Sequence, residues 1–340
     1  MPAVRSRVLL LVLFAAALAG ACREEGDIQI SSLTFEGVER VDKAALASAL
    51  QTRRGSRVPW GRKRFFDRRA FEADLKRIEA FYDDRGFPDA RVTSFDAKLN
   101  DTQDKVDVIV RIDEGEPVVV SEIELVGLDV LSEGDRNSLQ QSLPLRVEEP
   151  LDRRLALTSR ERALNDLRDR GYAYATVTVT DHESGPRRRR VLIEAMPGIL
   201  ARFGEIEING QASVSENVIR RQLTFAPGDL FTRREMRESQ RKLYGLELFE
   251  FVNIESQEDM AVQLPDVPVR VTVAEGKHHK VDMGVGYGTE EQGRARLRWD
   301  HLNFLGGARH LGFEGKWSSL DRGVKADYLE PFFLRPHFSL

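Results

Sequence analysis

A pattern that returns about every eighty residues limits what this chain can become more than any other feature. A strand-like run ending in glycine appears as Ile30 to Gly37, Ile123 to Gly127 and Ile206 to Gly210, and a second as Val106 to Gly115, Val191 to Gly198 and Val269 to Gly276. Between them each copy reads as a short helix (Asp42 to Leu50, Ser132 to Gln141, Ser215 to Leu223), a longer helix (Asp67 to Asp84, Arg153 to Asp169, Thr232 to Tyr244) and a strand (Ala90 to Lys98, Ala173 to Thr180, Phe251 to Glu255). In the first long helix Phe71, Leu75, Ile78 and Tyr82 recur at helical spacing, with Lys76, Arg77, Asp83 and Asp84 opposite, so the stripe predicts a core face. Gly86 and Gly171 follow the long helices as glycine stops. The expected fold class is α+β: three tandem β-α-α-β-β modules, each a small three-stranded sheet with two helices on one face.

The last sixty residues obey another rule. Val281, Met283, Val285 and Tyr287 alternate with Lys280, Asp282, Gly284 and Gly286. Ala295, Leu297 and Trp299 alternate with Arg294, Arg296, Arg298 and Asp300, and Leu311, Phe313 and Trp317 with Gly312, Glu314, Lys316 and Ser318. Strict alternation marks strands with two unlike faces, and 288–293, Gly306-Gly307 and 320–323 read as turns, giving an antiparallel meander of about four strands. A soluble sandwich alternates too; charge on one face with Trp and Tyr on the other suits strands between lipid and a wet lumen. Spanning sheets close into barrels of at least about eight strands. The tail is therefore expected to open a transmembrane β-barrel whose other strands lie beyond Leu340.

No run approaches the roughly eighteen apolar residues of a spanning helix. Arg5 and Arg7 precede an apolar core from Val8 to Ala19, which predicts a secretory signal over 1–21. Ala19-Gly20-Ala21 offers a small-residue cleavage site. Cys22, the single cysteine, stands where a lipoprotein signal places its acylated thiol, although Ala19 holds the place expected for Leu. Cys22 is thus a candidate lipidation site, and cleavage with or without lipid stays open. A lone cysteine excludes an internal disulfide. The net charge of -4 argues against a broadly basic nucleic-acid binder.

Gly286-Tyr287-Gly288-Thr289, Leu302-Asn303-Phe304-Leu305-Gly306-Gly307 and Tyr328-Leu329-Glu330-Pro331-Phe332-Phe333 follow in an order and spacing that resemble the first barrel strands of the BamA/TamA outer-membrane assembly-factor family. The β-α-α-β-β unit is similar to the polypeptide-transport-associated (POTRA) domain, and three copies before a barrel resemble the TamA branch. Tyr244 to Phe249 is similar to the aromatic-Leu-Phe turn of the family's barrel-proximal domain. The third copy departs in lacking the Arg-Gly-aromatic turn of Arg85-Gly86-Phe87 and Arg170-Gly171-Tyr172. The family is not normally lipidated. The resemblance implies modules at 27–117, 118–198 and 199–276 and a barrel from 277 to 340, with Asn303, Gly306, Gly307, Glu330 and Pro331 as barrel motif residues. It also implies strand addition of unfolded outer-membrane proteins to the module edges, and release to outer-membrane lipid through a lateral seam at Val281, Met283, Gly284, Val285, Gly286, Tyr287 and Gly288.

Residue chemistry agrees with a non-enzymatic role. There is no phosphate loop, no His-Glu-x-x-His and no nucleophile elbow, so no cofactor and no metal are expected. His278 and His279, adjacent on a strand, point to opposite faces and read as linker. Arg57, Trp60, Arg62, Lys63, Arg64, Phe65 and Phe66 form a basic, aromatic stretch that suits an acidic periplasmic or inner-membrane partner or anionic headgroups. Arg187 to Arg190 read as a solvated turn. An unpaired edge strand can capture an extended segment through backbone alone, but the sequence does not say which edge is free. Gly284, Gly286 and Gly288 share a face of the first barrel strand and weaken it, or else allow a bulky neighbour to pack closely. A secretion pore of the two-partner type and a periplasmic scaffold stand as rivals to the assembly factor.

Overall fold

A computed structural model describes residues 28–56, 63–288 and 292–331. The first module holds β1 (Gln29–Glu36), α1 (Lys43–Ala49), α2 (Arg68–Asp83), β2 (Arg91–Leu99) and β3 (Lys105–Asp113). The second holds β4 (Val119–Val126), α3 (Glu133–Ser142), α4 (Arg153–Arg168), β5 (Thr176–Gly185) and β6 (Arg188–Met196). In the third are β7 (Arg202–Asn209), α5 (Glu216–Gln222), α6 (Arg233–Tyr244), β8 (Phe249–Ser256) and β9 (Asp266–Glu275). The described residues pack as two compact units, one of those up to Glu124 with 144–158 and 180–191, the other of 125–143, 159–179 and those described from Leu192 to Pro331.

Helix starts follow from capping chemistry. The Asp42 carboxylate accepts from the Ala44 and Ala45 N–H groups, and that of Asp67 from Arg69 and Ala70. The Thr232 hydroxyl accepts from the Glu235 N–H and donates to the Glu235 carboxylate. Each sheet carries its last strand in the middle, with orders β1-β3-β2, β4-β6-β5 and β7-β9-β8. The valines of β3 (Val106, Val108, Val110) therefore meet Phe71, Ile78 and Tyr82 of α2 in one core, and those of β9 (Val267, Val269, Val271, Val273) meet Met236 and Leu243 of α6 in another.

The recurring glycine after each first strand has one cause. Gly37, Gly127 and Gly210 have φ of 80°, 77° and 91°, and a Cβ there would collide with the carbonyl oxygens of Ile112, Ala195 and Val273. Only glycine meets both demands.

Outer sides of the first strands are partly occupied. Ile30 N–H donates to the Arg64 carbonyl and Phe66 N–H to that of Ile28; Val120 exchanges such bonds with Glu148 and Glu149, and Phe203 with Gly228 and Asp229. The second strand of each module, β2, β5 or β8, is thus the other margin.

A fourth sheet follows: β10 (His279–Gly288), β11 (Gln292–Phe304), β12 (Arg309–Ser318) and β13 (Arg322–Leu329), an antiparallel meander in sequence order. Among the described residues no helix is long and apolar enough to cross a membrane.

Candidate functional site: the terminal sheet and its joint with the third module

Register fixes the faces of the terminal sheet. Val281 pairs with Trp299, Met283 with Leu297 and Val285 with Ala295; Trp299 faces Phe313, Leu297 faces Gly315, and Gly315 faces Val324. Because successive side chains alternate, these form one apolar face, on which Met283, Val285 and Val324 are 80%, 90% and 87% exposed. The opposite face carries Asp282, Arg294, Arg296, Arg298, Glu314, Lys316, Lys325 and Asp327.

At the centre of the charged face the Arg298 guanidinium reaches Asp300 at 2.8 Å, Asp327 at 3.1 Å and Glu314 at 3.2 Å. A Cβ on Gly312 would lie 2.5 Å from Asp327 Oδ2 and 2.8 Å from Asp300 Oδ1, so this glycine makes room for the network. Asp300, His310 and Asp327 could bring three ligand atoms within 4.8 Å of one another, but Arg298 already supplies the positive charge there. Glu330 accepts from Arg309 Nε at 2.6 Å and from the Tyr328 hydroxyl at 2.8 Å. Pro331 is the last described residue.

β10 lies at the sheet margin, paired with β11 along its length. Gly284, Gly286 and Gly288 share the charged face. A Cβ would meet nothing within 4 Å at Gly284 or Gly288, and only the flexible Arg294 side chain at Gly286. Among the described residues, close packing explains neither Gly284 nor Gly288.

The turn between β11 and β12 docks on the third module. Glu275, at the end of β9, accepts from the N–H groups of Ala212, Ser213 and Val214 and from the Ser213 hydroxyl. Asn303 Nδ2 donates in turn to Ser213 Oγ at 3.3 Å, Asn303 Oδ1 accepts from Ala308 N–H, and Ser215 N–H donates to the Gly306 carbonyl. Asn303 is buried. Gly306 has φ +74° and packs against the Ser213 carbonyl, 2.8 Å from where a Cβ would stand. Burial pushes the Glu275 carboxyl up, but the Ser213 hydroxyl and the three backbone donors outweigh it and hold the group at about 2.

Glu275 and Ser213 went unremarked in the sequence, where only the closing strand was visible. His278 lies in the connection between β9 and β10, its half-buried ring 3.8 Å from the Glu275 carboxylate, while His279 begins β10 and lies 5.7 Å from Trp299.

The basic, aromatic stretch is only partly brought together. Arg57, Trp60 and Arg62, like Cys22 and the signal, lie outside the described residues. Lys63, Arg64 and Phe65 are exposed, whereas Phe66 turns inward onto Phe71 at 5.5 Å and joins the first core. Its aromatic area is claimed by packing. In the Arg187–Arg190 run Arg187 stands in the turn and the other three on β6; all four side chains stay open to solvent while Arg187 pairs with Asp89, Arg188 with Glu148, Arg189 with Asp181 at 3.9 Å and Arg190 with Glu122 at 3.0 Å.

Residues 28–115 and 201–276 match the family model described as surface antigen variable number repeat, POTRA. The first and third modules are thus POTRA-like, and the second repeats their strand order. It is similar to a putative outer membrane protein assembly factor of Treponema pallidum, 24% identical over 90% of this chain and 37% of that protein. It also resembles the outer membrane protein assembly factor BamA of Neorickettsia risticii, 20% identical over 88% of this chain and 40% of that one. It therefore spans about two fifths of the length of these relatives. The crystal structure of BamA from Haemophilus ducreyi lacking POTRA domains 1–3 shares the fold, with a TM-score of 0.55 and 20% identity over 63% of this chain and 40% of that one. These matches do not single out the TamA branch.

Proposed function

We propose that this protein is an outer-membrane assembly factor, with its modules in the periplasm and β10–β13 as the first strands of a membrane barrel. The modules take up extended segments of unfolded barrel or autotransporter proteins along their sheet edges, and the client passes to lipid beside the glycine-weakened β10. No nucleotide or covalent step is required, because the client's own burial of apolar strand surface in lipid supplies the free energy. Exposed Lys63, Arg64 and Phe65 on the first module offer a contact for a periplasmic or inner-membrane partner.

One observation carries this reading. The terminal sheet turns a broad apolar face outward and an ion-pair network the other way, an arrangement suited to lipid on one side and water on the other. Heat-modifiable electrophoretic mobility in washed outer membranes of a Gram-negative host tests it. A band that runs faster unboiled, together with loss of barrel proteins on depletion, is expected. Secretion of one dedicated partner without loss of barrel proteins supports a two-partner pore instead, and a soluble product with no shift overturns both.

A further inference from the structure

The margins of the first and third modules are built differently. In the third, Val252 of β8 directs its N–H and C=O away from β9, and both are taken. The N–H donates to the Tyr244 hydroxyl at 3.0 Å, while the carbonyl accepts from that hydroxyl at 3.3 Å and from Gln240 Nε2 at 2.7 Å. The Val252 side chain is 1% exposed, so at this position backbone and core-facing surface are both closed; Phe251 beside it is 50% exposed but lies on the opposite face, across from Ala274.

In the first module the position after the last buried helix residue is Asp83, where the third has Tyr244, since Tyr82 and Leu243 are the equivalent buried residues. Asp83 pairs with Arg153 at 3.2 Å and leaves β2 alone. Among the described residues nothing pairs with the outer edge of β2. Its core-facing margin is ragged: Phe95 opposite Val110 and Leu99 opposite Val106 are 47% and 50% exposed although their partners are buried. An added strand with apolar residues at every second position would satisfy the open backbone and cover Phe95 and Leu99 together.

We propose that, of these two modules, the first is the strand acceptor, at β2, and that Tyr244 and Gln240 hold β8 closed. This rests on the strand-addition reading above and assigns it to one edge. The occupant is an extended segment with period-two apolar alternation, such as an unfolded barrel strand.

The test uses the whole chain with Cys22→Ser and one introduced thiol, Lys98→Cys on β2 or Glu255→Cys on β8. The probe is a peptide copying Arg309–Ser318 with an activated disulfide at one end, and labelling rates are normalised to a small thiol reagent. Lys98→Cys should label about tenfold faster than Glu255→Cys, and Tyr244→Phe should raise labelling of Glu255→Cys about tenfold while leaving Lys98→Cys unchanged, as fits one lost hydrogen-bond pair. Exchange of the Val252 amide should quicken by a similar factor with that of Asn253 unmoved, which separates an opened edge from a loosened module. Equal labelling of both strands before Tyr244 is changed, or no response of β8 to Tyr244→Phe, overturns the closure while the strand-addition reading stands. Labelling of neither strand in any variant overturns both.

Discussion

The first and third modules end their central strands with the same residue pair, Glu114-Gly115 and Glu275-Gly276, and use the carboxylate for the same local task. Glu114 accepts from the N–H groups of Glu39 and Arg40, just past Gly37; Glu275 accepts from those of Ala212, Ser213 and Val214, just past Gly210. Each closes the loop that leaves the first strand. Their further partners differ. Glu114 takes the buried Tyr82 hydroxyl, a contact inside its own core, whereas Glu275 takes Ser213, whose oxygen also receives Asn303 from the terminal sheet. One device is a latch in the first module and a joint in the third, and the change depends on which side chain stands beside the carboxylate. The second module has Pro197 at this place, so the fold does not require the latch.

The comparison can be broken most decisively at Glu275. Glu275→Gln should destabilise the third module by about 3 kcal/mol in urea, because it weakens four hydrogen bonds to a charged, largely buried acceptor. Amide exchange should then quicken both at 212–214 and at 302–308, whereas Glu114→Gln should act only at 38–40. If Glu275→Gln left the 302–308 amides untouched, the joint would be refuted.

The same group sets a pH signature. Its carboxyl titrates at about 2 in the folded chain against an ordinary 4.5. A lowered folded value means that the stabilisation is complete above about 4.5 and lost as pH falls toward 2. At ~1.36 kcal/mol per unit the change should approach about 3 kcal/mol, measured as the difference between wild type and Glu275→Gln unfolding across that window. A flat difference would show that the carboxylate gains nothing from its charge.

Smaller effects sharpen the picture. Asn303→Ala should cost about 2 kcal/mol, since it strands the buried Ala308 N–H and frees Ser213. Gly306→Ala should cost about 1–2 kcal/mol through its positive φ and the nearby Ser213 carbonyl, read in the same exchange at 302–308. Tyr82→Phe should cost about 1 kcal/mol and leave the terminal sheet unaltered; any effect there would erase the distinction between latch and joint.

Much of this architecture was legible. The spacing of Phe71, Leu75, Ile78 and Tyr82 and the glycine stops at Gly86 and Gly171 announced the first two long helices, and period-two alternation announced β10 to β12, because these signals lie within a few residues of what they specify. The joint was not legible. Glu275 and Ser213 are 62 positions apart and Ser213 and Asn303 are 90 apart, and a lone hydrogen bond over such a span leaves no periodic mark. Tyr244 was noticed as part of a turn, but its bond to Val252 depends on how α6 lies over β8. Phe66 misled for a related reason: an aromatic among arginines looks like surface until the strand beside it is placed.

The strand order carries a consequence for how the protein is born. Each sheet is centred on the strand that comes last in its module, with Glu36 paired to Arg111 across 75 positions and Glu207 to Arg270 across 63. As the chain grows from its N-terminus, β1 and β2 have no contact with each other to hold them, since only β3 joins them. A half-finished module therefore has no partial sheet to rest in, and its two outer strands stay unzipped until the closing segment arrives. Such late, long-range closure slows folding. It also means that a chain halted anywhere before Asp113 exposes the two flanks of its first sheet at once, which makes the timing of that last strand the step at which each module escapes aggregation.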